Sequence, residues 1–540
     1  MLSSTVEVDP ARVTTLSALR RLLVDSRMPL LVGLAYYLGA QFAFLIGTLS
    51  DRVFALFWPP NVILFCALLF RPRREWPALI AVAFVAHVIA ELGVGMPLPQ
   101  LFVAFVTNCL VALLNAYGVR RLLDPPPWLG TFKRMGIYIL VTAGIGPAVA
   151  ALGGAFVPIL GGGPFEDYWL FWSLWYLANA LPSVTLGPVL VIWLAEPPRW
   201  LHWKTSFQLI EPAAIALALI GISLLSADLA GRFTLHIFLP AILLLPLPLI
   251  VFASIRYGEK GASSTILVIA TIMIWSTLRG HGLFAGQNQE MSVLALQVFL
   301  TGLSIPILLL GAMVEELRDA GKTTRVLAAS LMRAQDEERR RIARDLHDST
   351  GQNLVAASLL AGRLRDSLAT EAMPLLDELE QNLVQSNREL RTVSYLLHPP
   401  YLDEAGLGLA LRYFLEGFEE RSGIQVDLKI DGNIGRLAKD SELVVFRVVQ
   451  EALTNVARHS GSTTAVIRLT RQSDQGGRIL LTVEDFGKGM SDRTTLDGPG
   501  RVSSGLGLIS MRERLAQIGG WLQIDSTEGH TLLQAVIPPY

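Results

Sequence analysis

The feature that most constrains this chain is a succession of apolar runs, each of bilayer-crossing length, that fills its first three-fifths almost without interruption. A helix needs about 20 apolar residues to cross about 30 Å of hydrocarbon. Runs of that order fall at 29–49, 53–70, 77–95, 101–119, 135–158, 168–194, 210–229, 234–254, 261–278 and 293–314. Ten is the direct count, and it becomes eight or nine if the Pro- and Gly-rich stretches around 141–163 and 240–255 interrupt a span. Hydrophobic residues make up 52% of the sequence and charged residues 17%. Those averages hide a division: a polar tail at 1–28, a polytopic α-helical membrane domain at 29–315, and a remainder with the charge density of an ordinary soluble protein. The tail carries Arg12, Arg20, Arg21 and Arg27 and lacks the pattern of a cleaved signal peptide.

Charge orients the spans. With the N-terminus inside, inner loops hold Arg71, Arg73, Arg74, Arg120, Arg121, Lys133, Arg134, Arg199, Lys204, Arg256 and Lys260, against Arg232 and Arg279 outside. That asymmetry obeys the positive-inside rule, so both termini are expected in the cytoplasm of a multi-pass plasma-membrane protein. The net charge of −1 supplies no basic field for nucleic acid. Cys66 and Cys109 lie in apolar runs, without metal-type spacing or a disulfide framework. His87, Glu91, Asn108, Asn115, Asn179 and His236 are costly in hydrocarbon unless paired. They are read either as signal contacts or as interhelical hydrogen-bond glue. Pro59, Pro60 and Pro188 read as kinks.

From 316 to 400 the pattern is an α-helical hairpin. Leu376, Leu379, Leu383, Leu390, Val393 and Leu397 follow steps of three and four, with Ser386 in one slot, which makes a heptad seam. Two helices joined near Pro374 leave an apolar stripe that a homodimer would bury as a four-helix bundle. His398-Pro399-Pro400 ends the second helix. From 401 to 540 strands are expected at 424–430, 464–470, 479–484, 521–525 and 531–537, with helices at 405–420, 439–458 and 506–518, giving an α/β sandwich.

Chemistry concentrates in four places. In the stretch from Glu337 to Gln352, Ile342, Leu346 and Leu354 are expected to face the bundle core, turning His347 and Asp348 to solvent. A carboxylate beside an exposed imidazole accepts its ring proton and frees the other nitrogen as nucleophile. Gln352, four residues after Asp348 and on its helix face, suits the positioning of a hydrolytic water. Glu451 and Asn455 share another helix face, where an amide can ligate Mg²⁺ held by ATP phosphates. Arg458 and His459, one turn on, are candidates for phosphate oxygens. Asp485, Gly487 and Gly489 follow a strand: the carboxylate can accept from an adenine amino group while the glycines let backbone pass close to the base. Gly505 and Gly507 lead into a helix N-terminus that favours phosphate. Alone, an exposed histidine in a charged helix is a surface residue and a Gly-x-Gly is a turn. Their order and spacing carry the reading.

At these residues, 325–540 resembles the histidine kinases that partner NarL-type response regulators, with their HATPase (GHKL) domain. The resemblance implies His347 as phosphoacceptor in a His-Asp-x-x-x-Gln pattern with Asp348 and Gln352. It implies an N box at Glu451 and Asn455 and glycine boxes at Asp485, Gly487 and Gly489 and at Gly505 and Gly507. It further implies ATP and Mg²⁺ as cofactors, a homodimer, and kinase activity with phosphatase activity on the regulator. Pro399-Pro400-Tyr401-Leu402-Asp403 resembles the family's connector. Gly529-His530-Thr531 departs from it by lacking a second glycine, which puts a nucleotide role for Thr531 in doubt. The membrane half resembles the first class of MASE integral sensor domains at Phe57-Trp58-Pro59-Pro60-Asn61, Arg74-Glu75-Trp76-Pro77, Trp172 to Pro188 and Ala253 to Gly261. Sensor kinases of this architecture include some that work with a membrane partner protein. Two other readings remain: a membrane receptor or transporter with a non-kinase nucleotide module, which leaves His347-Asp348 unexplained, and a mechanical ATPase using Glu451 as base.

Overall fold

A computed structural model describes residues 10–46, 48–49, 54–124, 129–195, 207–232, 244–279, 284, 289–365, 372–397, 402, 405–432, 434–472, 477–489 and 506–539. The chain forms two compact units, Met1–Gly321 and Lys322–Tyr540.

The first unit is helical. Its helices are α1 (Pro10–Ile46), α2 (Pro59–Phe70), α3 (Trp76–Gly93), α4 (Leu98–Leu122), α5 (Phe132–Ile139), α6 (Gly146–Gly154), α7 (Phe156–Leu160), α8 (Tyr168–Ala195), α9 (Phe207–Arg232), α10 (Leu247–Leu278) and the part of α11 (Gln289–Asp345) up to Gly321. A π-helical turn, Leu140–Ile145, joins α5 to α6. Among the described residues, seven helical stretches are long and apolar enough to cross a membrane, and Pro59–Phe70 and Ile210–Ser226 are shorter apolar helices.

Three expectations change. The run at 53–70 becomes helical only at Pro59, because Phe54–Ala55 pairs antiparallel with Thr48–Leu49. The twelve residues of α2 rise about 18 Å, too little for a full span. The expected spans 234–254 and 261–278 meet inside α10, which bends at Gly258, where φ is 62° and ψ −140°. His236, Arg199, Lys204 and 234–243 lie outside the described residues. The last span does not stop near 315: α11, 57 residues long in all, runs on to Asp345, with no helix-breaking residue after Pro306 other than the tolerated Gly311 and Gly321.

Proline shapes the middle of this unit. Pro182, inside α8, cannot donate to the carbonyl of Ala178. That carbonyl accepts from the Trp58 amide instead, at 3.3 Å, which fixes the entry into α2. In the first turn of α2, Asn61 donates to Asn108 on α4 at 2.8 Å and to Asn179 on α8 at 2.6 Å. Asn115 donates to the carbonyl of Thr142 at 3.4 Å. These amides thus join helices.

In the second unit α12 (Gln352–Arg365) and α13 (Met373–Leu397) form the hairpin, with Pro374 in the first turn of α13, where its missing N–H costs nothing. Next come α14 (Leu407–Ser422), β1 (Gln425–Ile430), α15 (Lys439–Asn455), β2 (Thr464–Gln472), β3 (Arg478–Asp485), α16 (Leu506–Gln517), β4 (Trp521–Thr527) and β5 (His530–Ile537). The sheet order is β1-β2-β3-β5-β4, with β1 and β2 parallel and the other pairs antiparallel. Strict alternation along β3 buries Ile479, Leu481 and Val483 under Leu411 and Phe414 of α14, Val445 and Val449 of α15, and Met511 and Leu515 of α16. This is the α/β sandwich expected from the strand pattern.

Candidate active site

Between α11 and α12 the helix widens into a π-helical turn, Leu346–Gly351, that carries His347 and Asp348. Single π turns are rare and concentrate at functional sites. His347, Asp348 and Gln352 are all exposed. His347 and Gln352 line one groove of 390 Å³ with Val355, Leu359, Asn387 and Leu390, whereas Asp348 is not among its lining residues. No hydrogen bond joins Asp348 to His347 among the described residues. Catalytic hydrogen bonds often tighten only in the reacting complex.

Ile342 is exposed and Leu346 and Leu354 are half-buried, while Ala343 is buried, its carbonyl accepting from the Ser394 hydroxyl at 3.2 Å. A small residue there lets α13 approach closely. Along the heptad seam Leu376 is buried, but Leu379 and Val393 stay about half exposed, as do Val355 and Leu364 on α12. His398, Pro399, Pro400, Tyr401 and Asp403 lie outside the described residues.

In the sandwich, the two-residue period of β3 carries Asp485 onto the core face, where it is 6% exposed. Its Oδ1 accepts from the Gly487 amide at 3.1 Å, an Asx-type turn that holds the carboxylate at the strand's end. A side chain on Gly487 would strike the Ser460 carbonyl, which is the acceptor for the Lys488 amide at 2.8 Å. Gly489 has φ 73°, and a side chain there would meet the Thr527 carbonyl. Both glycines are thus required by backbone proximity.

Glu451 and Asn455, both half-buried, lie in the last turns of α15. Arg458 and His459 are exposed on the π-helical turn Val456–Ser460, which ends at Gly461 in the left-handed conformation. A side chain on Gly507 would run into the Glu451 carboxyl group, so the structure brings the asparagine-bearing helix and the second glycine motif together. Gly505 lies outside the described residues. The donor set suits ATP: a fixed, buried carboxylate for a base amino group, close-approach glycines, an amide, and two exposed basic side chains. Asn455 is the residue that would hold a Mg²⁺ ion, which would supply charge neutralisation to the phosphates.

Sequence reasoning missed two features. Thr531 stands directly opposite Asp485 in the sheet register and touches Ser526 at 3.2 Å. Beside it, His530 Nε2 lies 2.8 Å from Glu484 Oε1, and with Arg468 at 2.9 Å it holds the Glu484 carboxyl below the usual carboxylate range. The second is an ion triad in which Asp336 of α11 meets Arg447 of α15 at 3.3 Å and also Arg514 of α16. Arg447 donates to the carbonyl of Leu397, the last residue of α13, at 2.7 Å and to Gln450 at 2.7 Å. Burial pushes its guanidinium down to about 10. The available signal was a lone arginine in the run Val444-Val445-Phe446-Arg447-Val448-Val449.

Comparison with known proteins agrees with this layout. Residues 28–318 match MASE1, 338–402 match the HisKA_3 family of histidine kinases, and 440–539 match the histidine kinase-, DNA gyrase B- and HSP90-like ATPase family. The sensor histidine kinase MctS of Rhizobium johnstonii is 37% identical over 41% of this chain and 48% of its own length. The kinase/phosphatase UhpB of Salmonella typhimurium is 28% identical over 85% of this chain and 87% of its own. The kinase/phosphatase DegS of Brevibacillus brevis is 30% identical over 41% of this chain and 56% of its own. The chain thus spans about half the length of MctS and DegS and most of UhpB. It belongs to the MASE1 family, a membrane sensor domain joined here to the phosphoacceptor and ATPase modules of a sensor histidine kinase.

Proposed function

We propose that the chain autophosphorylates His347 from ATP and passes the phosphoryl group to a receiver aspartate of a NarL-type response regulator. The carrying observation is an exposed imidazole on a π-helical turn, in one compact unit with a sandwich whose buried Asp485 sits among close-approach glycines. In the reaction, Asp348 takes one ring proton of His347. The other ring nitrogen attacks the γ-phosphorus in line, and the bond to the β–γ bridging oxygen breaks to release ADP. Asp485 holds the adenine; Arg458 and His459 meet phosphate oxygens. Mg²⁺, held through Asn455, supplies charge neutralisation on the phosphates. Positioning provides most of the rest.

Gln352, in the same groove as His347, orients a water against the phosphoaspartate of a docked regulator, so the site also serves the reverse signal. Half-exposed Leu379, Val393, Val355 and Leu364 suit burial against a second hairpin in a homodimer. The basic loops orient the protein with both termini in the cytoplasm, where ATP is. The regulator's identity, and a membrane partner protein like those of some sensor kinases of this architecture, belong to the same proposal.

The test uses the full chain in membranes with radiolabelled ATP. His347→Gln should abolish labelling while binding of a fluorescent ATP analogue persists. Labelling that persists in H347Q would reject the assignment.

A further inference from the structure

Inside the membrane unit the chain builds a small polar chamber that the kinase chemistry does not use. It is lined by Trp58, Trp175 and Phe44 and by Glu91, Asn108 and Asn179, and its volume is 50 Å³. A water-sized group needs about 10–15 Å³ measured this way, so the space suits a ligand of about three to five non-hydrogen atoms.

Its walls are fixed. Trp58 is tied through its amide to the carbonyl freed by Pro182, and Asn179 donates to the carbonyl of Trp175 at 2.9 Å. Asn108 and Asn179 both accept from Asn61.

Its unmet valences are an acceptor on Glu91 and one donor, the Trp58 indole N–H, which has no hydrogen-bond partner among the described residues. Glu91 is 4% exposed, and its Oε2 has no hydrogen-bond donor among the described residues. The other oxygen lies 4.0 Å from His87 Nδ1, beyond hydrogen-bond length. The buried Oδ1 of Asn61, a residue that bonds the lining amides without itself lining the chamber, also lacks a donor. A buried carboxyl group without donors is costly, and removing it from water is favourable only if a partner supplies them. A ligand that donates several hydrogen bonds and carries positive charge matches these acceptors. It also matches the tryptophan faces, which attract cations.

We propose that this chamber binds a small protonated primary amine, its ammonium group on Glu91 and its short alkyl part between Trp58 and Trp175. The chamber lies where α2 begins, α3 ends and α4 begins, the opposite ends of these helices from Arg71, Arg73, Arg74, Arg120 and Arg121. With the basic loops inside, it opens toward the outer face, so the amine arrives from outside the cell.

The full chain in lipid nanodiscs is titrated with propylammonium chloride at constant ionic strength, following tryptophan emission. 1-Propanol and acetate, each also of four non-hydrogen atoms, serve as the neutral and anionic comparisons. Propylammonium should give a saturable change that the other two do not. Glu91→Gln should weaken the apparent Kd tenfold or more, and Trp175→Phe by about two- to thirtyfold, the span of cation–π energies. No saturation, an equal response to 1-propanol, or unchanged affinity in a folded E91Q overturns the proposal. If E91Q fails to fold, W175F decides, and unchanged affinity there overturns it as well.

Discussion

At the scale of single residues, His347 takes its meaning from its surroundings. It has a groove on one side, shared with Gln352, and an adjacent carboxylate outside that groove's lining. Under the proposed function the two neighbours separate by task. Asp348 is assigned to the imidazole and Gln352 to a water on the docked regulator. Replacing Gln352 with Ala should slow dephosphorylation of the phosphorylated regulator by tenfold or more, in the range of one lost hydrogen bond to a charged group, while autophosphorylation changes less than threefold. Equal losses in the two rates would contradict this division. Thr531 shows a different kind of residue effect. One missing glycine in Gly529-His530-Thr531 casts doubt on it in the sequence, yet cross-strand register sets it against Asp485. Pairing across a sheet is a long-range fact that local spacing does not carry.

At the scale of elements, two joints stand out. The first is the bend in α10. Gly258 has a conformation open almost only to glycine, and a side chain there would strike the Glu315 carboxylate of α11. Close by, Arg318 of α11 donates to the carbonyls of Ile255 at 2.6 Å and Arg256 at 2.9 Å. Gly258→Ala should cost about 1–3 kcal/mol and lower the thermal midpoint of the solubilised protein. Gly302→Ala, with open space around it in α11, should leave the midpoint unchanged or raise it. Equal effects from the two substitutions would dismiss the bend as a constraint. The second joint is the Asp336 triad. Asp336→Asn leaves Arg447 and Arg514 without their shared carboxylate, a change in the class that costs about 3–5 kcal/mol when the pair is buried. Hydrogen exchange should rise along Leu506–Gln517 and stay low along Leu407–Ser422; unchanged protection of both helices would count against the triad as a clasp. Elements were readable to different degrees. The five strands of the sandwich stood out because alternation of period two is local and glycines punctuate its ends. The start of α2 did not, because Pro59-Pro60 looked like the middle of an apolar run and the pairing of Phe54–Ala55 is tertiary. The continuation of α11 past 315 was hidden by a change in composition, which marks the loss of lipid contact and not the end of a helix. The π-helical turn at His347 left no periodic signal, and the triad joins residues 111 and 178 positions apart.

At the scale of the whole molecule, composition divides the chain where the two compact units divide it, apolar helices before and charged sequence after. Seven long apolar helices among the described residues and the MASE1 match make it a membrane protein, and the basic residues between them carry the proposed orientation. Single cysteines placed at Arg73 and at Arg279, in a background lacking Cys66 and Cys109, test it in intact cells. An impermeant maleimide should label the second site and not the first; the reverse pattern would place the ATPase module away from ATP. The account rests on phosphorylation of His347, and other acceptor groups lie within three residues of it: the hydroxyls of Ser349 and Thr350 and the carboxylates of Asp345 and Asp348. The direct measurement is the chemical stability and position of the phosphate on the intact chain after incubation with ATP. A phosphoramidate on His347, labile in acid and stable in base, is predicted. An acid-stable phosphoester on Ser349 or Thr350, or a base-labile acyl phosphate on Asp348, would contradict it.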